Sequence, residues 1–214
     1  MKNRNTKEQQ TTRRTPLIGC VAALGMAFTF AVPQAAHAQS VTPPPVPASL
    51  EVPAPNQAFL LGRGVGTQNY VCQPASSLGR VAWTLFTPQA TLFNDQAAQL
   101  TTHFFSPNPV EGFIVRATWQ DSQDTSTVWA RAIASVADPK ESGAIDWVLL
   151  QTAGTNVGPT GGNTLSRTTF IQRLNTVGGS APATGCDVPT DVGHKAFVPY
   201  TADYFFYKAP SRNQ

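Results

Sequence analysis

Beyond the first forty residues the chain has two histidines, His103 and His194, the side chains best suited to proton chemistry near neutral pH. His103 precedes Phe104 and Phe105, which can wall a cleft and shift its pKa. It is a candidate ligand-binding residue or general base. The plain alternative is a partly buried imidazole hydrogen-bonded to backbone. His194 closes the run Cys186-Asp187-Val188-Pro189-Thr190-Asp191-Val192-Gly193-His194. Two carboxylates and an imidazole this close can meet one divalent ion in a loop, so Asp187, Asp191 and His194 are the candidate metal ligands. Solvated loop carboxylates are the commoner outcome. Ser126 can pair with a histidine, but no Gly-x-Ser-x-Gly elbow and no His-Glu-x-x-His is present. Trp129 shares a strand face with Thr127 and Arg131. Exposed, it would stack on a sugar or an apolar ligand; burial under a neighbouring loop is the alternative. Gly62-Arg63-Gly64-Val65-Gly66 does not lead from a strand into a helix, and no βαβ unit follows. A nucleotide site is therefore not expected there, and a flexible strand entry or bulge is. No catalytic residue is identified and no cofactor is implied.

The first 38 residues read as an export signal. Of fifteen Lys/Arg, five lie in the first fourteen residues, followed by an apolar run from Leu17 to Val32 and by Ala36-His37-Ala38. A basic start, an apolar centre and a small-x-small end make a signal peptide over residues 1–38. The run is shorter than the roughly 20 residues of a membrane helix, and Pro33 and Gln34 break it. Thr12-Arg13-Arg14 resembles a twin-arginine signal, though Pro16 departs from that pattern; the Sec route stays open. Leu17-Ile18-Gly19-Cys20 resembles a lipoprotein box at the wrong end of the run, so Cys20 is expected to leave with the signal. The expected destination is a bacterial periplasm or the medium, with no transmembrane span in the mature form.

Once the basic leader is set aside, the remainder is near neutral and has no basic run. Nucleic-acid binding needs clustered Lys/Arg, so it is not expected. The mature chain keeps Cys72 and Cys186. An even count in an oxidising compartment favours a disulfide; two separate buried thiols are the alternative.

The elements that must position these residues are strands. Residues 39–57 carry Pro43, Pro44, Pro45, Pro47, Pro53 and Pro55. They are expected to form an extended lead or linker outside the core, a spacer or a surface strap. From there, residues 58–214 read as one all-β domain. Val65, Thr67, Asn69 and Val71 alternate with Gly66, Gln68, Tyr70 and Cys72. Val81, Trp83 and Leu85 share a face, as do Phe113, Val115, Ala117 and Trp119. Trp83 and Trp119 are expected in the core. Val128, Ala130 and Ala132 line one side of another strand. Residues 145–150 are apolar on both faces, as a covered strand would be, and residues 165–174 and 197–207 add two more. Asp95 to Leu100 is a weak helical window. The spacing predicts an all-β sandwich or barrel of about nine or ten strands.

Several stretches together resemble one family. They are Gly64-Val65-Gly66-Thr67-Gln68-Asn69-Tyr70-Val71-Cys72, His103, Ala117-Thr118-Trp119 with Ser126-x-Val128, and Trp147-Val148-Leu149-Leu150. The C-terminal part adds residues 170–179, Pro182-x-x-Gly185-Cys186-Asp187 and residues 198–207. This pattern resembles domain-of-unknown-function family 3455, over about residues 58 to 207. The resemblance implies a secreted all-β domain whose shared residues include His103, Cys72 and Cys186. Some relatives carry a malate-dehydrogenase label, which does not transfer to a chain without a dinucleotide fingerprint or α/β alternation.

The functional expectation is a secreted domain that binds a small molecule or a cell-envelope polymer without catalysis. A hydrolase-like or metal-dependent enzyme centred on His103 is the rival, and a structural envelope protein the third reading.

Overall fold

The computed structural model describes residues 41–75, 79–141 and 143–210. The expected signal peptide, with Cys20 and the paired arginines, lies outside these residues. Eight strands are present: β1 (Gln57–Pro74), β2 (Val81–Phe93), β3 (Gln99–Asn108), β4 (Ile114–Asp121), β5 (Thr127–Val136), β6 (Trp147–Asn156), β7 (Thr168–Gly178) and β8 (Lys195–Lys208). Each pairs antiparallel with the next, and β8 returns to β1, so the sheet closes into an up-and-down barrel. Every strand thus has two neighbours, although β2–β3, β4–β5 and β6–β7 pair over four residue pairs each; of the two forms expected, the barrel is the one found. The strand count is lower than expected because the strands are long. β1 runs for eighteen residues and β8 for fourteen, against a common length of about five or six.

Alternation sorts the side chains. Ala90, Leu92, Trp119, Val128, Ala130, Val148, Leu150, Ile171, Tyr204 and Phe206 form the inner core. Trp147, Leu149, Leu174, Phe205 and Tyr207 occupy the opposite phase of their strands and form a second cluster on the outside. That is why 147–150 is apolar on both faces. The Pro-rich lead covers the outer cluster as a strap. Leu50 is fully buried there, with Val41, Val46 and Val52 beside it. Gln172 Nε2 donates to Leu50 O at 2.7 Å, and the Tyr207 hydroxyl donates to Gln172 Oε1. A stretch expected outside the core thus contributes a core leucine.

Gly62, Gly64 and Gly66 fall on the inner phase of β1, all three in regular register with β8 and the last two also with β2, rather than in a bulge. A Cβ at Gly62 would lie 2.8 Å from Leu92, and one at Gly64 the same distance from Tyr204. Gly62 and Gly64 make room for large side chains of the two neighbouring strands, and Gly66 for the close approach of the β2 backbone at Gln89 and Ala90.

One end of the barrel is closed. Leu165, fully buried, belongs to the inner core although it sits in the β6–β7 connection. Asp124 pins that connection: Oδ2 accepts from Thr164 N and Oγ1, and Oδ1 from Ser126 N and Oγ. Ser126 Oγ in turn accepts from Leu165 N at 3.0 Å. Burial opposes ionisation of Asp124, but these hydrogen bonds outweigh it and hold its carboxyl well below the ordinary range. Ser126 is therefore part of the plug, with no link to either histidine.

Three local expectations differ. Asp95 to Leu100 is a turn leading into β3: Asn94 Oδ1 accepts from Gln96 N and Ala98 N, and Ala97 has φ 59°. Phe113 lies before β4 with φ 67° and is exposed. Trp83 is half-buried outside both clusters, with its indole N–H on Thr184 O at 3.2 Å.

Candidate ligand-binding site

The open end of the barrel leads into a cavity of about 360 Å³. Alternation delivers its wall. Gln68 comes from β1, His103 and Phe105 from β3, Ala117 and Trp119 from β4, Val148 and Leu150 from β6, Arg173 from β7 and Tyr204 from β8. Exposed Leu85, Val115, Arg131 and Ala132 form the lip. The walls are apolar apart from a few polar groups, the usual make-up of a small-molecule pocket.

His103 stands in this wall, only 4% exposed. Its Nδ1 lies 2.8 Å from Thr118 O. A carbonyl can only accept, so Nδ1 carries the proton and Nε2 of the neutral ring is an acceptor. The ring stacks on Trp119 with centroids 4.1 Å apart and meets Tyr204 at 5.4 Å. Burial pushes its pKa down to about 3, against a smaller upward pull from Thr118 O. The imidazole is uncharged at neutral pH.

Two donors in the same wall make no well-formed hydrogen bond within the protein: Trp119 Nε1, and Gln68 Nε2, whose amide interacts with the Tyr200 hydroxyl without reaching hydrogen-bond geometry. Their residues are 2% and 1% exposed. A buried donor without an acceptor costs about 1–3 kcal/mol. Beside them the Tyr204 and Tyr200 hydroxyls share a hydrogen bond of 2.9 Å.

Three arginines border the cavity. Arg116 is neutralised by a two-pronged pair with Glu111, at 2.8 and 3.1 Å. Arg131 donates to Gln151 Oε1 at 3.0 Å, on the outer side of the wall. Arg173 differs. It is on the inner phase of β7, paired with Val148 and Tyr204. Its Nε and Nη2 donate to Asp146 O at 3.1 and 2.8 Å. It forms no ion pair with a carboxylate among the described residues. Its charge works against the burial that raises Tyr70, Tyr200 and Tyr204, and it adds to the lowering of His103. The mouth of the barrel therefore carries positive potential.

The other candidates do not join this site. Trp129 is buried at 7%, and its indole N–H donates to Ser106 Oγ at 2.9 Å on the outer face of the wall. Asp187, Asp191 and His194 stay in one loop but do not converge as a donor set. Asp191 Oδ2 accepts from the amides of Asp187 and Val188, and Asp187 Oδ2 from that of Gly185. His194 Nδ1 lies 3.3 Å from Gly185 O and 3.7 Å from Asp191 Oδ1. No group of three metal-ligating side chains occurs among the described residues. That loop is tied instead by a disulfide between Cys72 and Cys186, 114 residues apart in sequence. Cys72 also exchanges backbone hydrogen bonds with Gly193 and His194.

A family profile described as "Protein of unknown function (DUF3455)" matches residues 53–208. The chain belongs to that family. No curated protein and no solved structure matches it. Family membership brings no activity, so the site has to be read from its own residues. Arg173 and Gln68 escaped the sequence reading, although a signal was there. On β7, Arg173 shares the phase of Ile171, and on β1 Gln68 shares that of the inward glycines. A charged or amide side chain on an inward phase marks a position that packing alone does not call for.

Proposed function

We propose that this protein is an exported binding protein that takes a small molecule into the mouth of its barrel and does no chemistry on it. The observation that carries the reading is the cavity, open at one end, with donors that make no well-formed hydrogen bond within the protein. A closed base supports a small molecule over a polymer, because a chain running through would meet the Leu165 plug. The lining supports binding over catalysis. His103 is held by a carbonyl, and no Ser, Cys, Asp or Glu lines the cavity beside it. The disulfide suits export. No helix among the described residues is long and apolar enough to cross a membrane. The outward phase of β1 to β3 carries Arg63, Thr67, Gln89 and Thr102 beside Val65 and Phe104, a mixed face rather than a continuous apolar band.

The test uses three eight-carbon probes, 1-octanol, octanoate and octylamine, titrated calorimetrically. At least one is expected to bind once per chain. Ala132→Trp places a large side chain at the exposed lip and is expected to abolish that binding while the circular dichroism spectrum stays unchanged. Absence of binding by all three probes, or full binding by Ala132→Trp, overturns the proposal.

A further inference from the structure

The cavity has a polarity as well as a volume. The two buried side-chain nitrogens of its lining residues that lack a protein hydrogen bond are donors, the Gln68 amide nitrogen and the Trp119 indole nitrogen, beside the acceptor Nε2 of His103. Arg173 adds a cation on the inner phase of β7 with no carboxylate to neutralise it. The apolar part of the wall includes Phe105, Ala117, Ala130, Val148 and Leu150. At about 30 Å³ for each water-sized unit, the volume suits roughly a dozen non-hydrogen atoms. One chemical class answers all of this, an apolar body ending in an oxygen-rich anion.

Resting on the binding reading above, we infer that the ligand is a small amphipathic carboxylate, its head group held by Arg173 and the Gln68 and Trp119 donors, its apolar body lying on Val148 and Leu150. A planar guanidinium matches a carboxylate in geometry and charge. The buried donors become satisfied only when the head group arrives, so part of the cost of burying them is recovered on binding. A ligand whose head group is a cation would meet Arg173 with like charge, and one ending in a hydroxyl would leave that charge unanswered.

Replacing Arg173 or Gln68 tests the head-group site directly. At neutral pH and low salt, octanoate is expected to bind at least tenfold more tightly than 1-octanol, with octylamine weakest. Arg173→Met keeps most of the side-chain stem and removes the charge. It is expected to weaken octanoate tenfold or more and to leave octanol unchanged. Gln68→Leu replaces a donor that lacks a well-formed hydrogen bond by an apolar group of similar length. It is expected to raise the melting temperature of the ligand-free protein while weakening octanoate. A residue kept only for packing would give a lower melting temperature and unchanged binding. Should Arg173→Met fail to fold, Gln68→Leu alone decides. Equal binding of octanol and octanoate, or octanoate binding indifferent to both variants, overturns the inference yet leaves a small-molecule pocket standing. Silence from all three probes removes the pocket reading itself.

Discussion

His103 sits where the packing of the barrel and the lining of its mouth coincide, so its protonation touches both. In the unfolded chain its imidazole titrates near 6.5, whereas in the barrel it does so at about 3. Well above pH 6.5 neither state holds the proton and His103 adds no pH dependence. As pH falls below that value, the unfolded chain takes up a proton that the native chain refuses. Stability then drops by up to about 1.4 kcal/mol per pH unit, levelling off near the folded pKa. Asp124 also has a depressed pKa, but as a carboxylate its own loss begins only at more acidic pH. Urea unfolding midpoints taken between about pH 7 and pH 4.5 should therefore decline in the wild type and decline less in His103→Ala. At neutral pH the same variant should cost about 1–3 kcal/mol, because Thr118 O loses its donor. Parallel midpoint curves for the two proteins would contradict the assignment of a neutral, buried imidazole.

Among the elements, the strap and β6 depend on each other. Trp147 and Leu149 face outward, and without residues 41–56 they would meet water. Truncating Leu50 to alanine removes a fully buried side chain from that seam and should cost about 2–5 kcal/mol. Denaturant unfolding of Leu50→Ala measures it, and a change under 1 kcal/mol would mean that the strap only rests on the barrel. Much of this layer was legible in the sequence. The two-sided apolar run 145–150 announced a covered strand, which begins at Trp147, and the turn chemistry separated the strands. Leu50 was not legible, because prolines around it mark extended backbone whether or not it is docked. Trp83 misled for a related reason. Period two reports which face a side chain takes, but not how far along the barrel that face stays covered. Gly62, Gly64 and Gly66 spoke for flexibility in the sequence. In the fold Gly62 answers the volume of Leu92, Gly64 that of Tyr204, and Gly66 the close approach of the β2 backbone at Gln89 and Ala90, all distant along the chain. The metal loop failed on geometry: its carboxylates turn to the amides nearest to them, a local satisfaction common for Asp.

For the whole molecule, the bond between Cys72 and Cys186 fastens the end of β1 to the β7–β8 connection at the open end. By the chain-entropy model a loop this long stabilises by roughly 5 kcal/mol. Unfolding with and without reductant should show a large downward shift of the urea midpoint on reduction, and coincident transitions would rule this contribution out. The pairing of these two cysteines was legible from their number alone; the closure of the sheet was not, since alternation names faces and leaves partners open. That closure also sets an order of events during synthesis. β1 finds one of its neighbours in β2 within a few dozen residues, but the other is β8, the last of the eight described strands to be made. At about 5–20 residues per second, a ribosome leaves one flank of an eighteen-residue strand waiting for on the order of ten seconds. A message cut short before Lys195 therefore yields no smaller barrel. It yields an open ribbon with two long unpaired edges, fit for aggregation or for a protease.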